Sequence, residues 1–174
     1  MSAQVSVRPL TPDDLPDITA LHARVFGPGR FARSAYRIRE GTPLFSPFCL
    51  ASFSDGKLIA AIRFTEVTIG GRSGALLLGP LAVEPSLAGQ GFGKRLIADG
   101  LENAKAAGSH LAVLVGDEPY YGRFGFRVVP PGQITLPAPV DPARLLAAEL
   151  NSGALPGFRG MVAAARSASR RLRA

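Results

Sequence analysis

Ala88-Gly89-Gln90-Gly91-Phe92-Gly93-Lys94 stands between an apolar run, Ala75 to Val83, and an amphipathic one, Gly91 to Ala107. Glycines at alternate positions let successive backbone N–H groups turn toward one anion, and the start of a helix favours negative charge at that point. The segment therefore reads as a phosphate cradle joining a strand to a helix. Its spacing excludes two common nucleotide motifs. A nucleoside-triphosphate loop needs Gly-x-x-x-x-Gly-Lys-Ser/Thr, which Ala88 and Arg95 break. The dinucleotide pattern Gly-x-Gly-x-x-Gly meets Lys94 when started at Gly89 and Leu96 when started at Gly91.

Downstream of this turn, Phe92, Leu96, Gly100, Leu101 and Ala104 line one side of a helix, with Lys94, Asp99, Glu102 and Lys105 elsewhere. Upstream, Ala75 to Val83 is apolar enough for a central strand, and Gly79-Pro80 breaks its regularity. Proline cannot donate to a ladder and glycine tolerates unusual dihedrals, so the pair predicts a bulge where the strand leaves a neighbour. A gap opened there can hold a ligand. Phe48 to Ser54 and Leu58 to Ile69 read as a hairpin closed by Ser54-Asp55-Gly56-Lys57, and Gly70-Gly71 makes the next reversal.

Val5 and Val7 suggest a first strand. Thr11-Pro12-Asp13-Asp14 then supplies an N-cap, a proline and a capping acid for a helix whose core stripe is Leu15, Ile18, Leu21 and Val25. A further helix is expected over roughly Phe31 to Arg39. After the main helix, Leu111 to Val115 and Phe126 to Val129 read as strands, and the strand–helix–strand order implies parallel pairing. Asp141-Pro142 introduces either a short helix through Leu150 or a strand on Leu145, Ala147 and Glu149. The expectation is one mixed α/β domain over residues 1–162, a central mixed sheet flanked by helices, followed by a basic tail over 163–174 that is either disordered or helical.

Composition narrows the function. A chain of 174 residues with 47% hydrophobic residues matches one domain of roughly 150 and is too apolar for disorder. No apolar run nears the ~18 residues that span a bilayer, and the first residues lack a secretory signal, so a cytoplasmic protein without membrane contact is expected. One cysteine, Cys49, and two histidines, His22 and His110, make a poor zinc set, so no metal is expected; Cys49 reads as a small buried hydrophobe. The net charge of +7 owes much to Arg159, Arg166, Arg170, Arg171 and Arg173 near the end. Arg30, Arg33 and Arg37, flanked by Arg24 and Arg39, form either a solvated face or an anion-attracting rim.

With this context, Ala88 to Gly93 resembles motif A of the GNAT superfamily of acetyltransferases, Gln/Arg-x-x-Gly-x-Gly/Ala, set between a strand and a long helix. Gly91 and Gly93 match; Ala88 stands where the motif has Gln or Arg. Tyr121-Gly122-Arg123-Phe124-Gly125-Phe126 resembles the superfamily's Tyr-x-x-x-Gly-Phe. Val7-Arg8-Pro9-Leu10-Thr11-Pro12-Asp13-Asp14 is similar to its Ile-Arg-x-Ala-x-x-x-Asp opening, so the likeness runs over about residues 5 to 129. Leu78 to Val83, with Gly116-Asp117 before Tyr120-Tyr121, further resembles a YhbS-like branch of that superfamily.

The resemblance implies a sheet splayed between two parallel strands, with acetyl-CoA as donor. Leu81, Ala82 and Val83 would meet the pantetheine through their backbone, and Gly89, Gln90, Gly91, Phe92, Gly93 and Lys94 would hold the diphosphate. Tyr121 corresponds to the general acid that protonates the leaving thiolate, with Tyr120 as its packing neighbour. For the base, Glu66 and Asp117 both remain, while Glu84 beside Pro85 reads as a solvated charge. The implied activity is direct acetyl transfer to a primary amine, since no convincing nucleophile suggests a covalent acetyl-enzyme. Two other readings stand beside it. One is a non-catalytic acyl-CoA-binding or sensing domain, suggested by Ala88. The other is RNA binding through the arginine tail, which lacks interleaved aromatics. The acceptor is either a small molecule or an amine of a peptide or protein, and the chain is either a monomer or a homodimer.

Overall fold

The computed structural model describes residues 2–27 and 46–165. The helix expected over 31–39, the arginines at 30, 33, 37 and 39, and the tail from residue 166 onward lie outside the described residues. Strand β1 (Val5–Pro9) precedes a 3₁₀ turn, Pro12–Asp14, and helix α1 (Leu15–Phe26). Strands β2 (Leu50–Ser54), β3 (Lys57–Ile69) and β4 (Arg72–Val83) then form a meander. Helix α2 (Phe92–Ala106), strand β5 (Leu111–Val115) and the single-turn helix α3 (Glu118–Tyr121) follow. Four short strands follow among the described residues: β6 (Arg127–Val128), β7 (Ile134–Thr135), β8 (Leu145–Glu149) and β9 (Gly160–Ala164).

The sheet runs β1-β2-β3-β4-β5-β8-β6, and β4 with β5 is the parallel pair on this path. Helix α2 is the crossover between them. Leu96, Ile97, Gly100 and Ala104 bury its inner face against Ile62, Phe64, Leu76 and Leu114. Phe92 and Leu101, expected on that face, are half-buried at its flank. Helix α1 packs on the opposite side through Ile18 and Leu21, against Ala51, Phe53 and Ala61. Leu15 departs from the expected stripe and is 37% exposed, because α1 begins there; Leu10, ahead of the 3₁₀ turn, joins the cluster instead. Cys49 is buried in the same cluster, 1% exposed, as a small hydrophobe. No helix among the described residues is long and apolar enough to cross a membrane.

The segment after Asp141 resolves as a strand. The Asp141 carboxylate accepts the Ala143 N–H at 2.9 Å to cap one 3₁₀ turn, and β8 then lies antiparallel between β5 and β6. Strand β9 pairs with β3 through Val67↔Ala164, Thr68↔Ala163 and Ile69↔Val162. It therefore carries the sheet two residues past the boundary expected at 162.

Two contacts yield stability predictions. A Cβ at Gly100 would run into the Phe64 ring, so Gly100→Ala is expected to cost about 1–3 kcal/mol, read as a lower urea midpoint at unchanged slope. Arg8 grips both Asp14 oxygens at 2.8 Å, and the Thr11 N–H donates to the same carboxylate at 2.9 Å. The Arg8 hydrogen bonds, against an opposing effect of burial, hold Asp14 at about 2. A depressed carboxyl stabilises above its unfolded value of about 3.9 and loses that contribution as pH falls toward 2. Arg8 is 46% exposed, so solvent screening reduces the contribution to about 1 kcal/mol. Asp14→Asn is expected to lower stability by that amount at pH 7, with the difference vanishing near pH 2 in denaturant titrations.

Candidate active site

Strands β4 and β5 pair at Ala75↔Leu111, Leu76↔Ala112 and Leu77↔Val113, and the ladder ends there although both strands continue. The cause lies in β4. Its register on β3 passes from Phe64↔Leu78 to Ile62↔Leu81, so three steps of β4 match two of β3, at Gly79-Pro80. Proline has no N–H to give a neighbour, and Gly79 has a φ of 117°, so the expected bulge is present. Leu81, Ala82 and Val83 pair again with Ile62, Ala61 and Ala60 on one edge. Their other edge borders the gap opposite β5, and its backbone groups need a partner there.

At the outer end of the gap the chain enters α2. Gly89 and Gly91 have φ of 81° and 90°, the left-handed region where glycine carries no Cβ penalty, and no atom lies within 4 Å of a Cβ built at either. Gly91 is the N-cap, with φ 90° and ψ 0°, and offers no capping side chain. The first turn holds no acidic residue, and Lys94 and Arg95 lie in it instead. A helix start normally gains from Ser, Thr or Asp and from acidic neighbours. This one leaves its N–H groups free and surrounds them with cations, which suits an external anion. Gln90 and Lys94 are exposed and Gly93 is buried; a Cβ at Gly93 would lie 3.3 Å from Val83 and 3.5 Å from Leu81.

The two tyrosines come from α3. The backbone carbonyl of Asp117 accepts the N–H groups of Tyr120 and Tyr121, which starts this turn directly after β5. The Tyr121 ring lies over Gly116, where an added Cβ would approach its Cε2 to 2.6 Å. Tyr120 meets Tyr121 edge-on at 4.9 Å, and Phe126 closes the far side at 6.0 Å. Burial raises the Tyr121 hydroxyl above its ordinary value, and the nearby Tyr120 and Asp117 push it further, against a smaller effect of Arg144. Tyr121 therefore holds its proton throughout the physiological range.

The three acids fall in different surroundings. Asp117 sits beside Tyr121, with its carboxylate 74% exposed and 3.2 Å from the Arg144 Nε. Glu66 pairs with Leu76 before the fork, on the α2 face of the sheet, and its side chain is exposed. The structure thus brings Asp117 and Tyr121 together, whereas nothing among the described residues links Glu66 to that tyrosine. Glu84 corrects the expectation of a solvated charge: both its oxygens accept from Arg24, at 2.8 and 3.3 Å, and it is only 17% exposed. That bridge ties the last turn of α1 to the end of β4. Gly116 and Arg144 were not singled out as site residues from sequence; the glycine before Asp117 was visible, but its role as a seat for a ring five residues on was not.

Residues 6–129 match the acetyltransferase (GNAT) domain family. The chain is 29% identical over 157 residues to the uncharacterised N-acetyltransferase YhbS of Escherichia coli K12, covering 90% of this chain and 93% of that one. The crystal structure of Escherichia coli YhbS in complex with CoA superposes with a TM-score of 0.80 at 27% identity, over 95% of this chain and 92% of that one. A GNAT family acetyltransferase from Brucella melitensis in complex with acetyl-CoA gives 0.68 at 27% identity, over 96% and 98%. A family match that runs from β1 through the fork, the glycine turn and Tyr121, with solved relatives aligned along nearly their whole length, makes this chain a member of the GNAT acetyltransferase family.

Proposed function

We propose that the chain is an acetyl-CoA-dependent N-acetyltransferase that moves the acetyl group directly to a primary amine. The observation that carries this reading is the Tyr121 ring seated on Gly116 at the end of β5, beside the gap that β4 opens. The free backbone edge of Leu81 to Val83 pairs with the pantetheine amides. The N–H groups from Gly89 to Gly93, with Lys94, take the diphosphate. The amine nitrogen attacks the thioester carbonyl, the C–N bond forms, the C–S bond breaks, and the departing sulfur takes the Tyr121 proton. Asp117 is assigned to remove the amine proton in preference to Glu66, because it opens the turn that carries Tyr121, whereas Glu66 lies before the fork. The CoA and acetyl-CoA complexes of the two solved relatives support the donor.

The test is calorimetric titration with acetyl-CoA and CoA, followed by thiol release across a panel of small amines and peptides. Micromolar binding with turnover on one amine class is expected. Binding with no turnover on any amine would favour the second reading, an acyl-CoA-binding domain, which Ala88 in place of Gln or Arg suggests. Folded protein that binds neither ligand would remove both.

The seat of Tyr121 carries its own prediction. Gly116→Ala is expected to displace the ring and lower kcat about ten-fold, with CoA affinity little changed, because a misplacement near 1 Å is costly at a proton-transfer site.

A further inference from the structure

Resting on that reading, we infer that Tyr120 is a cofactor-binding residue whose hydroxyl donates to the diphosphate of the donor, and not merely the packing neighbour of Tyr121 expected from sequence. A Cβ built on Gly93 would lie 3.7 Å from the Tyr120 hydroxyl, alongside Leu81 and Val83. With a Cα–Cβ bond of about 1.5 Å, that oxygen is no more than about 5 Å from the Gly93 Cα. Gly93 belongs to the first turn of α2, whose N–H groups have no helical acceptor. The hydroxyl is therefore within reach of an anion seated on those amides.

The surroundings of the ring favour that role. The Arg123 guanidinium lies 5.1 Å from the Tyr120 ring centroid, and its Nε donates to the Tyr120 carbonyl at 3.0 Å. Phe124 packs edge-on at 6.2 Å and Tyr121 at 4.9 Å. The ring is thus held on three sides, beside one cation. Among the described residues no hydrogen bond from the Tyr120 hydroxyl is present, and the residue is half-buried, so a ligand can take that donor in place of water. A tyrosine kept only for packing would gain nothing over phenylalanine here.

The experiment compares wild type with Tyr120→Phe, which keeps the ring and its contacts with Arg123, Phe124 and Tyr121 and removes only the hydroxyl. Affinities are measured for CoA, for dephospho-CoA, which retains the diphosphate, and for pantetheine, which has no phosphate, the last by displacement. Tyr120→Phe is expected to weaken CoA and dephospho-CoA by the same factor, about 10-fold or more, as for one hydrogen bond to a charged group, and to leave pantetheine unchanged. Its thermal midpoint should match wild type. Unchanged CoA affinity, or an equal loss for pantetheine, would overturn the assignment while leaving the acetyltransferase reading intact. Wild-type protein that binds none of the three ligands would overturn the acetyltransferase reading and this one with it.

Discussion

Tyr121→Phe is expected to lower kcat by about 10²- to 10⁴-fold with any accepted amine, while CoA affinity stays within about two-fold of wild type. The ring, its seat on Gly116 and its edge contacts with Tyr120 and Phe126 survive the change, so only the hydroxyl is lost. A step that depends on protonating a leaving thiolate would then draw its proton from water. The pH profile separates this role from a merely structural one. Burial raises Tyr121, so the neutral, proton-bearing form persists above the ordinary value of about 10. The wild-type alkaline limb due to Tyr121 should therefore lie above pH 10 and be absent in the Phe variant. The same shift withdraws stability as pH climbs from the unfolded value through the raised folded one, the window in which the limb itself lies, so the Phe variant, which lacks both effects, is compared with wild type at matched folded fraction. Unchanged kcat in Tyr121→Phe would sink the acid role.

The elements legible in the sequence are those whose signal is local. The Gly89-Gln90-Gly91 turn shows itself because left-handed backbone selects glycine, and α2 because its buried face repeats every three or four residues. The split between β4 and β5 was readable from Gly79-Pro80 alone, since a residue that cannot donate interrupts a ladder whatever surrounds it. Leu145 to Glu149 could not be settled, because Leu-Leu-Ala-Ala-Glu suits helix or strand; the choice belongs to β5 and β6, which sandwich it. The electrostatic framework was least visible. Arg24 meets Glu84 and Arg144 meets Asp117 across 60 and 27 positions, and no spacing rule couples residues that far apart. Tyr121 was found through a motif, yet the glycine beneath it and the free hydroxyl of Tyr120 emerged only in three dimensions.

At the phosphate turn, Gly91→Trp is expected to weaken CoA more than about 100-fold, whereas Gly91→Ala should weaken it about ten-fold or less. The comparison works because both variants impose the same backbone penalty. Gly91 sits at φ 90° as the N-cap of α2, and any L side chain there costs about 1–2 kcal/mol. Stability losses of the two should therefore agree, as read from their denaturation midpoints. They differ in volume. No atom lies within 4 Å of a Cβ at Gly91, so a methyl group fits without contact, while an indole fills the space before the free N–H groups. A much larger loss with Trp means that the donor occupies that space. Equal losses would mean that the left-handed turn itself, which aims the N–H groups, determines binding and that the space before it is not where the diphosphate rests.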